Sequence, residues 1–258
     1  MTPNRFRAAG LAAALALALP AAAGLAGCTD DGDDWEDDAV AAYVGDTAIT
    51  EAELDAVAGD LRTEIGAEIE RELANLAGEL DEAELAERRE QRYGELDQQI
   101  AVNRTRTLEM RILTETADRY IAAEGLDPPE VPQTAVDQQA EDLGLSPDSA
   151  YVQVVTRFFG TLGVLQATTE PVPPSVADQR EVHEHLVADG LTTVPFEEAQ
   201  PALDQELIGR PVAMRNLLAE VLERAEVRVS PAYELVYRVP VPIGTGQSWL
   251  ALPLGGSG

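Results

Sequence analysis

The sequence predicts a mainly α fold: a long helical hairpin followed by further helices, with short extended stretches only near the two ends of the folded body. Three observations predict it. Leu54, Val57, Leu61, Ile65, Ile69, Leu73, Leu76 and Leu80 recur at steps of three and four, the repeat of a single helix face. Two capping boxes, Thr50 with Glu53 and Asp81 with Glu84, mark helix starts. Aromatic residues make up only 5% of the chain, so the core must come from Leu, Val, Ile and Ala, which suits helices packed lengthwise.

Residues 1–27 read as an address. Arg5 and Arg7 precede an Ala/Leu run from Ala8 to Leu19, then Pro20 and small residues, the order of a secretory signal peptide. The run is short of the about 20 apolar residues a spanning helix needs. It ends in Leu25-Ala26-Gly27-Cys28, which resembles a bacterial lipobox. That resemblance implies cleavage before Cys28, lipidation of its thiol and an extracytoplasmic protein anchored to the outer face of the cell membrane. Two acyl chains, at about 0.8 kcal/mol per buried CH₂, anchor stably where one does not. Cys28 is the single cysteine, so the body holds no internal disulfide and its stability must come from packing.

Residues 28–39 form an acidic tether. Asp30, Asp31, Asp33, Asp34, Glu36, Asp37 and Asp38 repel one another within a screening length of about 8 Å and favour an extended chain. Their spacing lacks the pattern of a calcium-binding EF-hand loop, so no metal is expected there. The formal charge of −29 becomes −31 once the two arginines of residues 1–27 are removed, and all 18 basic residues are Arg. A surface this acidic disfavours nucleic acid, whose phosphates it would repel.

The body opens at Val40 with a short apolar strand, a Gly45-Asp46 turn and a second extended piece ending at Ile49. A helix from Thr50 reaches a turn near Gly78–Asp81, with bending or a break open at Gly59 and Gly66, since glycine weakens a helix by about 1 kcal/mol relative to Ala. A second helix spans Glu82 to Ala123 on a stripe of Leu85, Tyr93, Leu96, Ile100, Leu108, Ile112 and Tyr120. Two long helices joined by a tight turn make an antiparallel hairpin.

After the Pro-rich joint at 127–132 comes a short helix, Gln133 to Leu143. Ser146-Pro147 reads as cap and first turn of a helix to about Gln166. That helix is apolar on more than one face, through Val152, Val154, Val155, Phe158, Phe159, Leu162, Val164 and Leu165. Two readings are open: a buried central helix, or a helix with one face left uncovered as a binding groove. Ser175 with Asp178 caps a helix to about Ala188. Phe196 opens another, with a break or kink at Gly209-Arg210-Pro211. Val227–Val229 and Tyr233–Val239 are extended runs. Residues 240–258 read as a loose Pro/Gly-rich tail, pinned at most by Trp249.

His183 and His185 stand at i and i+2, about 200° apart around a helix, so they do not form a metal pair. His185 is expected to pair with Glu181. The sequence carries no Gly-x-Ser-x-Gly, phosphate loop or dinucleotide fingerprint. No catalytic residue, metal or cofactor is expected.

The order of these parts resembles a known family. Val-Ala-x-x-Val-Gly-x-x-x-Ile-Thr running into Glu-x-Glu-Leu at one end, and Pro173-Pro174-Ser175-x-x-Asp178, Phe196-Glu197-Glu198 and Val227-Arg228-Val229 at the other, resemble the N-terminal domain of SurA-type and PrsA-type extracytoplasmic chaperones. The resemblance covers 40–239 and implies a small antiparallel sheet in which the final strand returns to pair with the first. The about 50 residues between Gly125 and Pro174 are too few for the parvulin domain that often interrupts this family, so no prolyl-isomerase activity is expected. The implied function is an ATP-independent holdase whose cradle, between the hairpin and the apolar helix, binds unfolded or secreted polypeptides through Val155, Phe158, Phe159 and Leu162. The alternative is an assembly lipoprotein that docks one fixed partner or self-associates.

Overall fold

The computed structural model describes residues 39–243 and 246–254; the expected signal peptide, the expected lipidation site Cys28 and residues 28–38 of the expected tether lie outside them. Strands β1 (Val40–Val44) and β2 (Thr47–Thr50) lead into α1 (Glu51–Leu76) and α2 (Glu82–Ala123). Both capping boxes form. Thr50 Oγ1 accepts the Glu53 N–H while Glu53 returns to the Thr50 N–H, and Asp81 and Glu84 do the same for α2. Gly59 and Gly66 lie inside an unbroken α1, held by its buried stripe of Leu54, Val57, Leu61, Ile69 and Leu73. Toward the hairpin tip the two helices are laced by Arg89–Glu70, Arg92–Glu72 and Arg62–Asp97. These pairs are largely exposed to solvent, which screens them, so they orient the two helices more than they stabilise them.

The chain then runs through α3 (Gln133–Leu143), α4 (Ala150–Thr168), α5 (Val176–Ala188), the single turn α6 (Phe196–Ala199), a 3-10 turn at Gln200–Ala202, α7 (Gln205–Arg224) and strands β3 (Val227–Val229), β4 (Val236–Ile243) and β5 (Gly246–Pro253). β3 pairs antiparallel with β1, Ala42 opposite Val229 and Val44 opposite Val227. The entering and leaving segments are thus joined in one three-stranded sheet of order β2-β1-β3. The fold is mainly helical with the small antiparallel sheet expected.

Three boundaries differ from expectation. α4 starts at Ala150, not Pro147: Ser146 Oγ accepts the Asp148 N–H in a preceding turn, and the first helical N–H, of Ala150, is taken by Asp60 of α1. The break expected at Gly209–Pro211 falls instead at Leu203-Asp204. Asp204 accepts the N–H groups of Glu206 and Leu207 and starts a new helix, which runs on through Pro211. Gly209 serves close approach rather than a break, since a Cβ there would lie 2.7 Å from the Val172 carbonyl oxygen, and the Val172 N–H bonds the Gly209 carbonyl.

The third correction is the tail. Residues 236–243 and 246–253 are not loose; they pair as β4 and β5, from Val236–Pro253 to Ile243–Gly246, while residues 255–258 of the expected tail lie outside the described residues. Val239 and Val241 point into the core while Pro240 and Pro242 alternate on the exposed side. Proline is tolerated in a strand when its missing N–H falls on the outer edge. Leu250 and Leu252 of β5, and Leu254 just after it, are buried. The hairpin is fastened to α5: Ser248 Oγ donates to the Val182 carbonyl, the Ala251 N–H to Glu181, and His185 stacks on Trp249.

Candidate functional site

α4 is central, packed by α2, α3 and α1, and this explains its apolar character on more than one face. Val155 and Phe158 are buried, Phe158 meeting Tyr237 of β4 edge-on at 5.8 Å. These two expected client contacts are therefore core residues, closed to any client. Leu162 is partly buried against the same core, and Phe159 alone of the four projects outward, 56% exposed. The cradle between hairpin and apolar helix is filled along this face.

An open groove remains one turn earlier on α4. Its volume is about 370 Å³, and it is lined by Thr47, Ala48 and Ile49 of β2, by Arg111, Thr114 and Glu115 of α2, and by Gln153, Val154 and Arg157 of α4. α2 gives the floor and β2 and α4 the walls. β2 is an edge strand, paired with β1 alone.

The local sequence builds this wall. Gly45 has φ +59° and is followed by Asp46, which is not at positive φ. Glycine at the first central position of a two-residue hairpin loop fits a type II′ turn. Arg119 clamps the turn, donating to Asp46 Oδ1, Thr47 Oγ1 and Glu115 Oε1. The hydrogen bond from Arg119 holds the Asp46 carboxyl below the usual range. At the other end of β2, the Thr50 backbone N–H holds the Glu53 carboxyl below its ordinary value, with help from Arg111 3.0 Å away. Arg157 reaches Asp118 at 2.8 Å. Each of these two guanidiniums uses one nitrogen on one carboxylate, although a guanidinium carries five N–H donors.

The two histidines are occupied structurally. His183 is buried, its Nε2 2.8 Å from the Val194 carbonyl oxygen and its ring edge-on to Phe196. His185 does not pair with Glu181. Its Nδ1 lies 2.9 Å from the Trp249 carbonyl oxygen, and Glu181 is taken by the Ala251 N–H and Arg215.

Sequence reasoning also missed a semi-buried polar pair. Burial pushes the Glu109 carboxyl up, against the pull of Arg106 and Arg238. Burial, then the charge of Glu109, pushes Tyr237 up to about 12. Among the described residues no group of three or more His, Cys, Asp or Glu could hold a metal ion, and no helix is long and apolar enough to cross a membrane.

Comparison of the chain with known protein families, with curated proteins and with solved structures returned no match.

Proposed function

We propose that the chain is a membrane-anchored, ATP-independent holdase that binds unfolded or secreted polypeptides outside the cytoplasm, tethered by a lipid on Cys28. The observation that carries this reading is the open groove between the edge strand β2 and α4. It offers the half-buried Val154 as an apolar contact, with flanking hydrogen-bonding groups on Arg111, Gln153 and Arg157, on a helical scaffold. The order of strand, capped hairpin and returning strand agrees with the SurA-type and PrsA-type resemblance. The segment between Gly125 and Pro174, where those proteins often carry an isomerase domain, folds as α3 and α4.

The test places the intact protein in lipid nanodiscs and follows aggregation of a refolding model enzyme by light scattering. Suppression without ATP, saturating near one holdase per client, supports the proposal. No suppression by a folded protein rejects it. Incorporation of labelled palmitate that is lost in Cys28→Ser tests the anchor.

A second reading has its own observation. Val187, Leu191 and Val194, from the end of α5 and the loop after it, are all exposed apolar side chains. They favour an assembly lipoprotein that docks one fixed partner or a second copy. A concentration-dependent mass, together with no effect on aggregation, would support that alternative.

A further inference from the structure

We infer that β2 is a docking strand: an extended client segment pairs through its main chain with Ala48 and lies over α2, between β2 and α4. This rests on the polypeptide-binding reading and specifies its chemistry.

The register shows which backbone groups are open. The loop between β1 and β2 has two residues, Gly45 and Asp46, so Val44 and Thr47 form the closing pair. In a two-residue hairpin that pair exchanges hydrogen bonds, and pairs then alternate along an antiparallel ladder. The register runs regularly from Val44–Thr47 through Tyr43–Ala48 to Ala42–Ile49, and the irregularity lies beyond, between Ala42 and Val40. The main-chain groups of Thr47 and Ile49 therefore face β1, and the N–H and C=O of Ala48 face away from it. The next residue, Thr50, has its N–H taken by Glu53. Ala48 thus presents one outward donor and one outward acceptor on the groove side of the sheet, the unit to which another strand attaches.

The opposite wall suits the far edge of the same segment. A strand lying against β2 carries a second row of N–H and C=O groups, which must also be satisfied as water is displaced. Arg157 and Arg111 have unused donors for carbonyls. Gln153 donates its Nε2 to the Pro147 carbonyl, which leaves Oε1 as an acceptor. Ala48 and Thr47 are small and exposed, leaving space for client side chains, while Ile49 is buried beneath them. The site therefore recognises extended backbone with little demand on side chains and rejects proline or any N-substituted residue opposite Ala48. The contrast within the molecule is informative: the outer side of β4 is blunted by Pro240 and Pro242, whereas β2 carries no such block.

The probe is a fluorescein-labelled peptide of alternating Thr and Val, with Arg at each end for solubility. Its binding to the intact protein in nanodiscs is followed by anisotropy. The comparison peptide is N-methylated on alternate amides and has the same charge and side chains. Loss of two main-chain hydrogen bonds should weaken binding about tenfold or more. Ala48→Pro should weaken the unmethylated peptide about threefold or more at unchanged melting temperature, because it removes one N–H that β1 does not use. Equal binding of the two peptides by the wild-type protein overturns the inference, whether or not the variant folds, as does absence of binding to either. If aggregation suppression persists undiminished in a folded Ala48→Pro variant, the holdase reading stands and the docking strand falls. If the wild-type protein suppresses no aggregation, both fall.

Discussion

Asp60 of α1 caps a helix that begins 90 residues later: its Oδ2 accepts the Ala150 N–H at 2.7 Å and also faces the Ser149 hydroxyl. An aspartate at a helix N-terminus satisfies an orphan donor and opposes the positive end of the helix dipole. Ser149 is buried, so water cannot substitute freely. The contact fixes the height of α4 against the hairpin and hence the spacing of the groove wall carrying Gln153 and Arg157. Asp60→Ala should destabilise the protein by about 1 kcal/mol in urea unfolding, with the slope unchanged. A variant indistinguishable from wild type would show that the cap carries no stability.

Phe158 and Phe159 are neighbours in sequence and opposites in role. The first is 3% exposed and the second 56%. Phe158→Ala should cost about 3–5 kcal/mol, since it leaves a cavity against Tyr237. Phe159→Ser should stay within about 0.5 kcal/mol of wild type. Paired thermal melts decide it, and comparable losses in both would mean that α4 is turned differently from the arrangement described.

These two phenylalanines mark where the sequence is legible and where it stops. Periodicity shows that α4 is apolar on several faces, but only the positions of α1, α2 and α3 say which face is covered. The capping boxes are legible locally, whereas the Ser146-Pro147 start is not, because Asp60 of α1 takes the first helical N–H of α4. The capping boxes at Thr50 and Asp81 and the Ser175–Asp178 cap depend on residues within one turn of each other, and they form as expected. Signals that depend on distant partners were not readable. The Asp60 cap and the fastening of His185 to Trp249 join segments far apart in the chain. The groove was missed because Thr47 and Ala48 gain meaning only once β2 is known to be an edge. Pro240 and Pro242 hid β4, since proline ordinarily argues against a strand.

Leu250 tests the corrected reading of the C-terminal segment. It is fully buried in β5, among the core residues that include Val239, Val241 and Val182. A loose tail would tolerate Leu250→Ala without effect. The hairpin described here should lose about 2–5 kcal/mol, the usual range for a buried leucine truncation. Proteolysis should also begin within 236–254, a region the wild-type protein protects.

Asp178 couples the last joint of the chain to pH. Burial raises its carboxyl, but the Ser175 hydroxyl and N–H and the Arg215 guanidinium outweigh burial and leave it below the ordinary value of 3.8. Arg215 lies 2.7 Å away, with the two side chains 20% and 8% exposed. A group whose folded pKa is depressed contributes stability that is fully present above its unfolded value and is lost as pH falls through the folded one. Asp178→Ala removes a helix cap and breaks a largely buried pair, although Arg215 keeps Glu181 at 3.6 Å. The expected loss at neutral pH is about 3 kcal/mol, the lower end for such a pair. The difference between wild type and variant should hold steady above pH 3.8 and narrow below it, as the wild-type carboxylate takes up its proton. Urea unfolding of both proteins at about pH 7 and about pH 3 measures it. A gap of equal size at both would mean that the charge of Asp178 contributes nothing and that its value lies in packing alone.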